Sequence, residues 1–225
     1  MDAAALERLH AAIVSCRACE ERGFIPEAAP VVSPRFGGGR LMLIGQAPGQ
    51  VEAVEREPFM GRAGRVLFRW MASVGITEED FRRRVYMTSV TKCFPGKALV
   101  AGGGDRRPSP EELRLCRPWL DAQLALVDPT LILLVGKMAI DLYLPGRSLD
   151  ELVGEPFEFD SLQLLPLPHP SGMSRWLNAP ANREKLTRAL AFFRQKWDAQ
   201  LPSPEGHTPK PGRLVDGQGP SLRSG

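Results

Sequence analysis

Apolar positions along the chain fall into two rhythms. Residues 3–15 carry Ala, Leu, Ile and Val at helical spacing, which predicts a short helix. Leu41-Met42-Leu43-Ile44 is a continuous apolar run that stops in Gly45-Gln46-Ala47-Pro48-Gly49. It reads as a buried strand ending in a rigid turn, where two glycines and a proline let the backbone approach a ligand closely. Residues 62–74 return to helical spacing and stop at Gly75, and Thr77 is placed to cap a short helix over 78–81. Residues 85–91 are rich in β-branched side chains and predict a second strand. Ser109-Pro110-Glu111-Glu112 has the cap, the first-turn proline and the acids that open a helix. Residues 129–135 form another unbroken apolar run, the mark of a strand buried on both faces. A helix over 136–144, a connection over 145–160 with room for an edge strand, a strand over 162–167 and a last helix over 181–200 complete the pattern.

Between these elements lie loops at 23–39, 50–61 and 94–108. The last is expected to be structureless, and a loop of that length is more often functional than incidental. Residues 201–225 hold five Pro and five Gly and few large apolar side chains, so they read as a disordered tail on a domain spanning 1–200. Strands alternate with helices and hairpin signals are scarce. The expected fold class is α/β: a three-layer α/β/α sandwich around a central, mostly parallel, four-stranded sheet. In such sheets ligands sit beyond the carboxyl ends of the strands. Gln46, Ser89, Gly136 and His169 all fall at such ends and are expected to cluster.

Bulk composition narrows the classes. With 225 residues, 43% hydrophobic and 24% charged, the chain has ordinary globular composition. No apolar run approaches the roughly 18 residues of a membrane span, and the N-terminus lacks the basic-then-apolar pattern of a secretory signal. A cytoplasmic monomer without membrane contact is expected. A net charge of +3 permits a nucleic-acid partner without requiring one. The arginines at 62, 65, 82–84, 106 and 107 suit phosphate contacts or, the favoured reading from charge alone, solvated helix faces.

The four cysteines are Cys16, Cys19, Cys93 and Cys116. Cys16 and Cys19 have chelating CxxC spacing, and the two distant thiols make a complete set of four ligands. Zinc, an iron–sulfur cluster and free buried thiols all remain open on spacing alone. His169 sits between Pro168 and Pro170 after a strand, a rigid position from which an imidazole can donate to a developing negative charge. Phe59 lies in a polar loop beside the same edge; it either packs inward or stacks on a planar ligand. The turn at 45–49 is not a Walker loop, and GxGxxG, HExxH and GxSxG are absent.

Taken together, these motifs resemble the uracil-DNA glycosylase superfamily, in particular its iron–sulfur branch, families four and five. Gly45-Gln46-Ala47-Pro48-Gly49 resembles the family-four motif GEAPG. Residues 58–64 resemble PFVGRSG, residues 88–93 resemble TNVVKC, and His169-Pro170-Ser171 resembles HPS. The cysteines follow in matching order, and the likeness covers about residues 10–198. The resemblance implies an enzyme that flips a deaminated base, uracil first, out of DNA and hydrolyses its N-glycosidic bond. His169 would stabilise the departing base, Phe59 would stack on it, and Gly45, Gln46, Ala47 and Ser89 would touch its edge. Cys16, Cys19, Cys93 and Cys116 would hold a [4Fe–4S] cluster of structural role. Ser171, Met173 and Arg175 would meet DNA, with Met173 or Trp176 as a wedge; Trp176 otherwise anchors the last helix.

Two departures sharpen the expectation. Family four has an acid where this chain has Gln46, and family five places its acid where this chain has Arg62. Glu52 and Asp105 are the remaining nearby acids, and Asp105 is the expected catalytic carboxylate. No His lies between residues 94 and 115, so covalent trapping of DNA is not expected. Ser89 stands where the family has a base-reading Asn, and Ser makes one hydrogen bond in place of a pair. The alternatives are a preference for hypoxanthine or xanthine, a damage-binding relative of weak activity, and a zinc-stabilised nucleotide-binding protein.

Overall fold

Every apolar run read as a strand is a strand, and all lie in one sheet. The computed structural model describes residues 2–99, 104–159, 161–171 and 175–200. In chain order the elements are α1 (Ala3–Val14), α2 (Ala18–Glu21), β1 (Leu41–Gly45), α3 (Gln50–Glu55), α4 (Arg62–Ser73), α5 (Glu78–Arg84), β2 (Val85–Ser89), α6 (Pro110–Val127), β3 (Leu131–Val135), α7 (Lys137–Asp141), α8 (Leu149–Leu152), β4 (Phe157–Phe159), β5 (Leu162–Leu167), a 3-10 turn (Arg175–Asn178) and α9 (Pro180–Ala199). The expected tail at 201–225 and Met173 lie outside the described residues.

The strand order is β2-β1-β3-β5-β4. The first four pair in parallel, and β4 runs antiparallel to β5. Alternate side chains leave opposite faces of a strand, and the core divides accordingly. Leu41, Leu43, Met87, Leu133 and Leu165 pack on one face with Phe68, Phe81, Phe193 and Trp197 of α4, α5 and α9. Met42, Ile44, Tyr86, Ile132 and Leu164 pack on the other with Leu6, Leu120 and Ile140 of α1, α6 and α7. This is the expected three-layer sandwich, with five strands in place of four. The added strand β4 is three residues long, too short for a period to register, and sits on the sheet edge.

Two loops hold more order than their composition suggests. The 50–61 segment contains α3, whose polar sequence hides a capped helix. In the 94–108 segment the described residues 96–98 and 104–106 lie side by side: Lys97 bridges Asp105 in antiparallel fashion, Ala98 N–H donates to Gly104 O at 2.9 Å, and Arg106 N–H donates to Gly96 O at 2.9 Å. Gly96, at φ +102°, permits the approach, and no apolar alternation marks it.

Arg82 is buried and Arg106 half-buried in ion pairs, where the favoured reading of the arginine clusters has solvated faces; Arg62, Arg65 and Arg83 are exposed as expected. The Arg82 side chain is 0% exposed. It pairs with Glu57 at 2.9 Å and Glu78 at 2.8 Å, donates to Pro58 O at 2.8 Å and Phe59 O at 3.1 Å, and lies 4.6 Å from the centre of the Phe68 ring. A planar guanidinium suits this because it offers five donors in a fixed fork. The local sequence carries only the Glu78–Arg82 spacing, which reads equally well as a surface pair. Arg106 is held by both oxygens of Glu112 at 2.7 and 2.8 Å and by Phe24 O at 2.9 Å.

A buried polar chain docks α1 on the sheet. Lys92 Nζ donates to Thr88 Oγ1, Thr88 Oγ1 to Gln123 Oε1, and Gln123 Nε2 to the Tyr86 hydroxyl, each within 2.8–2.9 Å. Tyr86 in turn meets His10 Nε2 at 2.9 Å. Among the described residues no helix is long and apolar enough to cross a membrane.

Removing one partner from a buried charged network strands the others, at a cost of about 3–5 kcal/mol. Arg82→Met is therefore expected to lower stability to denaturant by that amount, while Arg83→Met, on the exposed side of α5, stays within about 0.5 kcal/mol of the parent. Equal midpoints for the two variants would remove Arg82 from this role.

Candidate active site

The parallel strands open on one side, and a cleft of about 790 Å³ lies there. Its lining includes Gly45, Gln46, Ala47, Phe59, Ser89, Asp105, His169 and Ser171. Eight positions nominated from five separate stretches of sequence thus share one cavity, of a size common for small-ligand sites. Of the remaining candidates, Met173 is outside the described residues, and Arg175 is described in its backbone alone, at the start of the 3-10 turn. Trp176 Nε1 donates to Asp150 at 2.9 Å, and its carbonyl accepts from Asn182, which ties it to α8 and α9 as an anchor.

The floor is the turn after β1. A side-chain carbon at Gly45 would come 3.3 Å from Phe59 Cζ, so the ring leans directly on the backbone there. Phe59 itself has φ +57°, a left-handed conformation uncommon outside glycine. It is held there by Arg82 at its carbonyl, and Gly64 makes room, since a side-chain carbon at 64 would fall 1.7 Å from Phe59 O. Backbone held off its preferred wells is frequent at ligand sites.

Glu52 does a different job from the catalytic one open to it. Its two oxygens accept from Gly61 N–H at 2.7 Å and Gly49 N–H at 3.1 Å. Both ends of the 49–61 loop are pinned by one carboxylate, which leaves it poorly placed to hold a water. Asp105 is free of such backbone duties. One of its oxygens accepts from Lys97 Nζ at 2.6 Å. The other faces Gly49, where a side-chain carbon would meet it at 3.3 Å.

His169 leaves the end of β5 and lies on Gly136, whose φ of +84° and missing side chain both matter: a carbon there would fall 3.1 Å from His169 Cδ2. Burial lowers the His169 pKa below its ordinary 6.5, and the Asp105 charge partly offsets this. The imidazole is therefore neutral at neutral pH. Ser89 spends its proton within the chain, donating to Thr91 O at 2.6 Å, so toward the cleft it can only accept.

The cysteines meet elsewhere. Cys16, Cys19, Cys93 and Cys116 line a second, smaller cavity walled by Ile25, Ala28, Pro30, Leu115 and Trp119. All four are free thiols. Burial pushes Cys19 up to about 11 and Cys93 up to about 12, and neighbouring thiols add to both shifts. Among the described residues no three His, Cys, Asp or Glu side chains stand close enough to grip a single metal ion. Two features fit a sulfur-rich anionic guest. Lys92, 2% exposed, is a buried cation on the cavity wall whose side-chain partners are the neutral oxygens Thr88 Oγ1 and Ser89 O. Thr91 Oγ1, also on the wall, is buried with no hydrogen-bond partner among the described residues. Lys97 and the orienting role of Arg82 were missed from sequence, and Glu52, named there as a spare acid, proves to be a backbone clamp; the only local signal for Arg82 was Glu–Arg spacing.

The model of the uracil DNA glycosylase superfamily matches residues 36–194. The type-4 uracil-DNA glycosylase of Thermotoga maritima is 29% identical over 163 residues, covering 70% of this chain and 79% of that protein. That of Archaeoglobus fulgidus is 35% identical over 127 residues, covering 56% of this chain and 57% of that protein. That of Pyrobaculum aerophilum is 28% identical over 197 residues, covering 84% and 92%.

The His169 titration tests the geometry of the cleft directly. Its imidazole carbon resonance is expected to titrate with a midpoint below 6.5. Asp105→Asn removes the charge that raises this pKa, so the midpoint should fall further. A rise in the variant, or no change, would show that the two groups do not face each other.

Proposed function

The chain belongs to the uracil DNA glycosylase superfamily, and on that premise we propose that it is a monofunctional DNA glycosylase of base excision repair. Its substrate is DNA carrying a deaminated base, uracil first, and it acts as a single chain in the cytoplasm. The observation that carries the reading is the convergence of the Gly45–Gly49 turn, Phe59, Asp105 and His169 on one cleft. Relatives named type-4 uracil-DNA glycosylases support the substrate class.

The reaction follows from the charges. A base flipped out of the helix stacks on Phe59. As the N1–C1′ bond breaks, its electron pair moves onto the base and the sugar becomes oxocarbenium-like. Neutral His169 donates a hydrogen bond to O2, where the negative charge collects, and a preorganised donor at such a point contributes about 10²–10³ in rate. Water adds to C1′ and loses its proton to Asp105, with the Gln46 amide orienting it. The products are free base and an abasic site. Ser89, limited to accepting, takes the N3–H of uracil; cytosine has no proton at N3. Ser171, at the cleft, meets the DNA, and Met173 and Arg175, next in the chain, contact it as well.

Cys16, Cys19, Cys93 and Cys116 hold a [4Fe–4S] cluster in the second cavity. When bound, it supplies a cross-link between α2, the end of β2 and α6, and its role is structural. The orphan Thr91 hydroxyl and the buried Lys92 cation support that fit.

Incubation with duplexes carrying uracil, hypoxanthine or xanthine, followed by alkali, is expected to cleave at uracil. His169→Ala and Asp105→Ala should each lower single-turnover excision by about 10²-fold or more. Binding without cleavage of any duplex would favour the damage-binding alternative, which rests on Gln46 and Ser89. The purified protein should carry iron and acid-labile sulfide in equal amounts; zinc without iron would remove the cluster.

A further inference from the structure

Residues 88–93 are the wall between the two cavities. Ser89 faces the cleft, while Thr91, Lys92 and Cys93 line the cysteine cavity. Nearly every polar group in this wall has a partner. Lys92 N–H donates to Cys116 Sγ at 3.2 Å. The Lys92 ammonium reaches Thr88 Oγ1 and Ser89 O. The Ser89 hydroxyl donates to the Thr91 carbonyl, and the Thr91 N–H donates to Gln46 O at 3.3 Å. The Thr91 hydroxyl stands apart. The residue is 5% exposed, and Oγ1 has no partner among the described residues.

A buried hydroxyl without a partner costs about 1–3 kcal/mol. Valine has nearly the same shape and avoids that cost. The hydroxyl therefore calls for an acceptor that the protein atoms do not supply, on the side where the four thiols gather.

The geometry points to Thr91 as a hydrogen-bond donor to sulfur in the group held by Cys16, Cys19, Cys93 and Cys116. This rests on the cluster assignment made above. The hydroxyl proton is shared with a cysteine or bridging sulfur that carries negative charge. The interaction strengthens as that charge grows, so it favours the reduced state and raises the reduction potential. Hydrogen bonds to cluster sulfurs are among the groups that set such potentials. The Thr91 side chain is here a positioning group for the cofactor; its carbonyl, which holds Ser89, is unchanged by substitution of the side chain.

The test uses the full chain purified without oxygen. Iron and sulfide are first measured in the parent; a parent without them overturns the cluster assignment and this inference with it. With the cluster present, the parent, Thr91→Val and Thr91→Ser are compared by reduction potential and by the shift of Fe–S stretching bands in heavy water. Thr91→Val is expected to have a more negative potential and a smaller heavy-water shift, and Thr91→Ser to restore both. A Thr91→Val protein that matches the parent in both overturns the inference, and leaves the cluster assignment standing; an ordered water as the hydroxyl's partner gives that result. Where Thr91→Val loses its cluster on purification, Thr91→Ala against Thr91→Ser reads the same difference.

Discussion

Four strands run parallel, and that alignment governs where everything else can be. Parallel strands deliver their carboxyl ends to one side of the sheet. The turn after β1, Ser89 at the end of β2, Val135 at the end of β3 and His169 after β5 are spread over about 125 residues of sequence, yet they leave the sheet within one cleft. The register adds precision: Gly45 lies opposite Ser89, and Val135 opposite Leu167. No loop has to search for its partner across the molecule; each begins beside it.

Around that edge, buried charge does the fine positioning. Arg82 holds the carbonyls of Pro58 and Phe59 from below, and Glu52 holds the amides of Gly49 and Gly61. Together they hold the backbone on both sides of the Phe59 ring. Charged hydrogen bonds are stronger than neutral ones, and in a buried setting they are little screened by salt. That suits a residue kept at φ +57°, which would otherwise relax. The acids accordingly divide by environment: Glu52 is committed to two backbone amides, and Asp105 faces the cleft with one oxygen steadied by Lys97.

The second cavity is coupled to the first through a shared wall. Ser89 presents its oxygen to the cleft because Thr91 O takes its proton, and the carbonyl of Ser89 is held by Lys92, a residue that also borders the cysteines. A chain of hydrogen bonds runs on from Lys92 through Thr88, Gln123 and Tyr86 to His10 on α1, the helix that leads to Cys16. The segment that shapes the base site is thus the segment that meets the cysteines, and order in one cavity supports order in the other.

Much was legible in the chain alone. Strand and helix periods gave the sandwich, because side-chain spacing follows directly from the geometry of each element. The rule that ligands sit beyond parallel strand ends located Gln46, Ser89 and His169 together. Motif resemblance singled out Phe59, and the absence of an acid at 46 singled out Asp105. What stayed hidden were interactions that no period encodes. β4 is three residues long, and the approach of 96–98 to 104–106 rests on glycine and a single bridge. Arg82 looks like a surface charge until Glu57 and the Phe59 carbonyl close over it, and Glu52 looks like a spare acid until two amides claim it. A sequence pattern reports which face of an element is apolar. Which polar groups become buried together depends on loops meeting from distant parts of the chain, and that is decided only when the sheet has brought them to the same edge.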